Sequence, residues 1–190
     1  MAEKIFENFI KDGDVSPEIY NKYKDLLPGG IILLWEKYGF GSFMGGYLRL
    51  INPDEYRELV AGTYFRGDIS IPIFVTAFGD IITWEKNRYV GMIKYKNGFY
   101  KLMAAGFDFF LEDLQNGSFN KDFFDLPMYE EAVNMWGNVM FDECFGFVPL
   151  LSLGGSEKAE NLKKVKTKEH IEMISQSVGK IETISSAVPM

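Results

Sequence analysis

Apolar residues recur at three- and four-residue spacing through the first 70 positions, crowd into short runs over 71–103, and return to helical spacing from 107 onward. Residues 3–11 place Ile5, Phe6, Phe9 and Ile10 on one side of a short helical segment. Ser16-Pro17-Glu18 is a helix start: serine can accept from a free N–H, and proline suits the first helical position. That helix is predicted to run to about Leu27, with Ile19, Tyr20, Tyr23, Leu26 and Leu27 on its stripe, until Pro28-Gly29 breaks it. A third helix carries Ile31, Leu34, Trp35 and Tyr38 and exits at Gly39, the residue most tolerant of a left-handed turn. Asn52-Pro53-Asp54-Glu55 opens a fourth, with two acids in its first turn, ending near Ala61-Gly62.

The middle changes period. Residues 71–77, 81–85, 88–94 and 98–103 are rich in Ile, Val, Phe, Tyr and Trp, and Gly79-Asp80, Asn87-Arg88 and Asn97-Gly98 separate them. Asn-Gly is the strongest short-range hairpin signal, so three linked hairpins predict a four-stranded antiparallel meander. Residues 47–51 are read as an added edge strand. Neighbours joined by such tight turns are antiparallel, which argues against a doubly wound nucleotide fold.

From 107, Phe107, Phe110, Leu111 and Leu114 form one apolar stripe, leaving Asp108, Glu112 and Asp113 outward. Tyr129, Ala132, Val133 and Trp136 form another after Pro127, leaving Glu130, Glu131 and Asn134 outward. Residues 145–153 read as a buried strand, 162–165 as its partner, and Thr167 opens a last helix with Ile171, Ile174, Val178 and Ile181. Residues 183–190 have nothing to bury and are expected to fray. The resulting fold class is α+β: an antiparallel meander of four to six strands packed with N-terminal and C-terminal helices. Residues 1–66 and 67–182 are expected to behave as one cooperative unit.

Composition narrows the function. The 190 residues are 47% hydrophobic and 16% aromatic, enough for a core without disulfides or metal, and Cys144 is the only thiol. The longest candidate apolar run, 31–35, is far short of a membrane span, and residues 1–15 contain no secretory signal. A soluble cytoplasmic protein is expected. Net charge is −7, and the excess lies in one stretch. Residues 107–143 hold Asp108, Glu112, Asp113, Asp122, Asp125, Glu130, Glu131, Asp142 and Glu143 against Lys121 alone. That field disfavours nucleic acid and anionic lipid and suits a basic protein partner. The plainer reading is a solubilising acidic coat.

No catalytic signature emerges. His170 is the sole histidine, without an evident orienting partner or nucleophile, and is read as a solvated surface residue. Acidic neighbours suppress the thiolate of Cys144, which is read as a small buried hydrophobe. Gly39, Gly41, Gly45 and Gly46 follow a helix C-terminus and lack a Gly-Lys-Ser/Thr, so they are no phosphate loop. Asp108 and Glu112 lie one helical turn apart, but no Asp-x-Asp-x-Asp-Gly loop occurs and no metal site or cofactor is expected. The aromatic residues are assigned chiefly to core packing, because base-stacking platforms accompany positive grooves.

Leu27-Pro28, Trp35-Glu36-Lys37-Tyr38-Gly39-Phe40-Gly41, Gly46-Tyr47 and Asn52-Pro53-Asp54-Glu55-Tyr56 together resemble the GAD-like domain of bacterial proteins. Cys144-Phe145-Gly146-Phe147-Val148-Pro149, then Leu153-Gly154-Gly155 and His170-Ile171-Glu172-Met173-Ile174, resemble the C-terminal domain of type VI secretion immunity proteins. The resemblance implies an α+β, non-enzymatic toxin-neutralising binder whose partner is a protein toxin, a DNase in proteins of this kind. It treats Trp35, Tyr38, Gly39, Gly41, Asn52, Pro53, Gly154 and Gly155 as scaffold residues. The charge arithmetic assigns partner contact to Asp108, Glu112, Asp113, Glu130, Glu131, Asp142 and Glu143. The rival reading is a small-molecule or peptide-binding sensor with a pocket between sheet and helices.

Overall fold

Ser16 caps the first α-helix as its hydroxyl predicts. In the computed structural model, which describes residues 2–185, Ser16 Oγ accepts from the Ile19 N–H at 3.3 Å. Before it, a 3-10 turn at Ala2–Phe6 leads into β1 (Ile10–Gly13), so only the beginning of the expected segment 3–11 is helical. There follow α1 (Pro17–Tyr23), α2 (Gly29–Tyr38), β2 (Phe40–Phe43), β3 (Leu48–Leu50) and α3 (Asp54–Thr63). The α1 helix stops at Tyr23, four residues before the expected end, and a turn carries the chain to Leu27. Asn52 Oδ1 accepts from the Asp54 N–H at 3.1 Å, and Pro53 occupies the cap position of α3.

The predicted hairpins are all present as β4 (Ser70–Thr76), β5 (Ile81–Glu85), β6 (Tyr89–Lys94) and β7 (Phe99–Ala105). Positive φ angles at Gly79, at Lys86 and Asn87, and at Gly98 mark their three turns. After them come α4 (Phe107–Asp113), α5 (Gly117–Phe123), α6 (Leu126–Trp136), β8 (Glu143–Phe147), β9 (Leu162–Lys166), α7 (Thr167–Val178) and β10 (Thr183–Ile184).

The sheet is larger than the meander expected. Its eight strands run β1-β2-β3-β4-β5-β6-β7-β10, antiparallel except for the parallel β7–β10 pair, and β8 and β9 form a separate antiparallel ladder. The opening region is therefore not purely helical, since it supplies three strands. The expected edge strand at 47–51 is instead the internal β3, paired on both sides. Gly41 on β2 lets β1 pack close beside it, because a Cβ there would lie 2.3 Å from the Ile10 carbonyl oxygen. The expected frayed tail is likewise corrected in part: Thr183 and Ile184 pair with Phe99 and Tyr100, while residues 186–190 lie outside the described residues. The expected strand 145–153 ends at Phe147, where Val148-Pro149 diverts the chain into a 3-10 turn at Leu151–Leu153. Gly154 closes that turn at φ 87°, and Gly155 lies so near the Pro149 carbonyl that a side chain would not fit.

Alternating positions along the central strands feed two cores. Phe74, Ile82 and Met92 face α1, α2, α4, α5 and α6; Val75, Ile81 and Ile93 face α3 and α7. On the first face Phe74 packs against Phe43, Phe107 and Phe110 at ring separations of 5.6, 6.3 and 5.9 Å. There too Trp35 meets Tyr23 and Phe40 edge-on, and Tyr38 stacks on Phe6. Each such buried aromatic contributes about 2–3 kcal/mol of apolar burial. Residues before and after position 67 enter both cores, so neither region encloses a core of its own.

Candidate partner-binding face

The helical stripes of α4 and α6 work as the spacing predicts. Phe107 and Phe110 anchor α4, Tyr129 and Ala132 anchor α6, and Asp108, Glu112, Glu130 and Glu131 stand exposed on the outer surface. None of these four carboxylates has a hydrogen bond or ion pair among the described residues. Asp113 is half-buried at the end of α4. Phe109 stands among these acids, 64% exposed.

A groove of about 790 Å³ runs beside α6, with Ile5, Met44, Leu114 and Val133 along its walls and Glu130 at its rim. The glycine-rich turn after β2 shapes its floor. Gly45 and Gly46 have φ of 66° and 91°, and Tyr129 Oη donates to the Gly45 carbonyl at 2.8 Å. A Cβ on Gly46 would approach that hydroxyl to 2.9 Å, so these glycines seat α6 against the turn rather than cradle a phosphate.

Asp142 and Glu143 are placed differently. They begin the β8–β9 ladder, where Lys166 meets Asp142 at 2.6 Å and Glu143 at 3.7 Å. The hydrogen bond from Lys166 holds the Asp142 carboxyl below its usual range, and Glu143 also accepts from the Met140 N–H at 3.0 Å. Asp108, Glu112 and Asp113 therefore lie on α4 and Glu130 and Glu131 on α6, while Asp142 and Glu143 are tied into the chain's own ladder.

Two further corrections concern reactive side chains. His170 is buried, its ring laid over Gly146, where a Cβ would come within 2.6 Å of Nε2. Burial lowers its pKa, so it is not the solvated residue expected. Its place was readable: Thr167, His170, Ile171 and Ile174 follow one helical stripe and are all buried. Burial pushes the Cys144 thiol up to about 12, with nearby Arg49 opposing, which keeps the sulfur protonated. Among the described residues no cluster of three His, Cys, Asp or Glu side chains could hold a metal ion, and no helix is long and apolar enough to cross a membrane.

A partly exposed charge network that sequence reasoning missed lies beside the β6–β7 turn. Lys96 meets Asp125 at 2.7 Å and Glu157 at 2.9 Å, and Lys94 donates to the Phe123 carbonyl at 3.0 Å. Asp80 is wholly enclosed nearby, and burial lifts its pKa to about 6 against the pull of Lys94 and Lys96. A carboxyl whose folded pKa exceeds the ordinary 3.8 binds its proton more tightly in the folded chain. Asp80 therefore contributes stability at low pH that is lost as pH rises from about 4 through 6, on the order of 2–3 kcal/mol. Asp80→Asn should remove that decline and raise stability at pH 7.5, checked by urea unfolding midpoints across pH 4–8. An unchanged decline would place its origin elsewhere.

Residues 2–102 match the GAD-like domain family, and residues 104–177 match the family described as T6SS immunity protein Tdi1, C-terminal. The crystal structure of Atu4351 from Agrobacterium tumefaciens is similar at a TM-score of 0.75 and 18% identity, covering 93% of this chain and 89% of that one. At that identity the likeness is one of fold. No curated protein matches the chain. The GAD-like match covers more than half of the chain, so the chain belongs to the GAD-like domain family, and the segment that follows directly is similar to the C-terminal domain of a type VI secretion immunity protein.

Proposed function

We propose that this chain is a non-enzymatic immunity protein that acts in the cytoplasm, binding a protein toxin and blocking it through the acidic face of α4 and α6. The observation that carries the reading is position. The unpaired acids Asp108, Glu112, Glu130 and Glu131 all fall inside the region that matches the immunity-protein family. A nuclease attracts a polyanion and so has a basic cleft, which makes a nuclease the toxin class this face suits best. An acidic inhibitor competes with nucleic acid for such a cleft and gains association rate from the summed field. Exposed Phe109 among the acids, and the apolar groove beside α6, would supply residence time.

The test is survival among siblings. A host strain deleted for this chain should be killed in mixed culture by its secretion-competent parent, and a plasmid copy should restore survival. Equal survival of the deletion strain, with the secretion system demonstrably firing, would reject the immunity reading.

A further inference from the structure

The groove beside α6 lacks a donor. Asn120 of α5 lines it, and the Asn120 Nδ2 donates to the Leu114 carbonyl at 3.0 Å, which fixes the side-chain amide. The Asn120 Oδ1 is enclosed and has no hydrogen-bond partner among the described residues. No other enclosed side-chain polar atom of the lining is left in that state. An enclosed acceptor without a donor costs free energy that an incoming N–H recovers. Two more acceptors share the groove. Tyr129 Oη spends its hydrogen on the Gly45 carbonyl and keeps lone pairs free. The Glu130 carboxylate is exposed at the rim, with no hydrogen bond or ion pair among the described residues.

The remaining walls say which donor. Ile5, Met44, Leu114 and Val133 are apolar and suit a hydrocarbon stem. Met44 holds φ at 51°, a conformation non-glycine residues rarely adopt, and contributes an adaptable thioether to the wall. Lys4 is the one cation of the lining, exposed and without an ion pair among the described residues, and it offsets the pull of Glu130. Charge alone therefore does not select the occupant; the spaced acceptors do. A lysine ammonium is a compact, strongly hydrated point charge. A guanidinium presents five N–H groups in one plane and sheds water more readily. We propose that this groove receives one arginine side chain of the toxin, its stem along Met44, Leu114 and Val133 and its guanidinium on Asn120 Oδ1 and Glu130. The proposal rests on the reading of the chain as an immunity protein for a basic toxin, and adds the contact that would hold the complex once the acidic face has steered it together.

The test separates the groove from the immunity reading. The full chain, 15N-labelled and 13C-labelled at methionine methyls, is titrated at fixed ionic strength with butylguanidinium and with butylurea, its uncharged analogue. NMR follows the Asn120 side-chain amide and the Met44 methyl. Saturable one-to-one binding of butylguanidinium is expected, with butylurea about tenfold weaker. Glu130→Gln should weaken butylguanidinium binding about threefold, and Lys4→Gln should strengthen it by a similar factor. Val133→Arg supplies the groove with a guanidinium of its own and should abolish binding. A plasmid copy of Val133→Arg should also fail to protect the deletion strain that the unaltered copy rescues. No saturable shift, equal affinity for butylurea, or full protection by Val133→Arg would overturn the proposal. Should the unaltered copy itself fail to protect, the immunity reading falls, while the titration still decides whether the groove takes a guanidinium. Glu130 and Lys4 are exposed, so their opposite effects decide the titration even if Val133→Arg does not fold.

Discussion

Replacing Arg49 by Leu is expected to lower the unfolding free energy by about 2–5 kcal/mol, because it removes a buried donor shared by four backbone carbonyls, of which only Met140 and Thr76 have an N–H partner besides. Arg49 lies on β3, is 1% exposed, and forms no ion pair among the described residues. Its guanidinium donates to the backbone carbonyls of Phe141 at 2.9 Å and Met140 at 3.3 Å, and also to those of Glu143 and Thr76. Burial draws its pKa below the ordinary value, a sign of how little water reaches the charge. One side chain thereby ties the segment entering β8 to the middle of the sheet. It also joins the region of the GAD-like match to that of the immunity-protein match. Arg49→Lys keeps the charge but presents a point donor in place of a planar fork, and should recover only part of the loss. Urea unfolding followed by far-UV and near-UV circular dichroism checks both variants. A loss under about 1 kcal/mol for Arg49→Leu would mean the carbonyls find water or relax. Coincident far- and near-UV transitions are also expected, since both cores draw on both regions; two resolved transitions would divide the chain into independent units.

Arg49 also marks where reading from sequence stops. Leu48-Arg49-Leu50 has the alternation of a strand with one wet face. The charge is buried because helices and the β8 approach cover both faces, and that follows from tertiary contacts 27 to 94 residues away. The meander was legible because its signals are local: turn residues that accept positive φ, between runs of β-forming residues. The strands β1 and β2 were not, because four residues are too short to display a period of two. The β3 strand was legible as a strand at 47–51, but its internal place was not, since distant pairing sets it. The α5 helix was missed for a similar reason, with seven residues, glycine at its start and two aromatic anchors. Among the candidate acids, those on α4 and α6 were readable from their helical stripes. The engagement of Asp142 and Glu143 was not, since Lys166 reaches them only through the β8–β9 register.

Reversing Asp108, Glu112, Glu130 and Glu131 together to Lys is expected to slow capture of the partner tenfold or more. The four substitutions take residues 107–143 from a net charge of −8 to zero. None of the four has a cation partner to lose among the described residues and all are exposed, so the unfolding midpoint should stay in place. Steering acts through the summed field of these helices, which is why the kinetic effect can exceed anything the same charges do for stability. The field reaches only about 8 Å at physiological ionic strength, so raising salt should slow the unaltered chain toward the rate of the variant. Reversing Asp142 and Glu143 serves as the contrast. It opposes Lys166 with like charge across the β8–β9 ladder, and should disturb the fold more than the encounter. Surface plasmon resonance reads all three proteins, at low and physiological salt, against the protein that co-purifies with the tagged chain from its native host. If the fourfold variant associates as fast as the unaltered chain at both salts, the acids of α4 and α6 are a solubilising coat. The toxin would then dock on another surface.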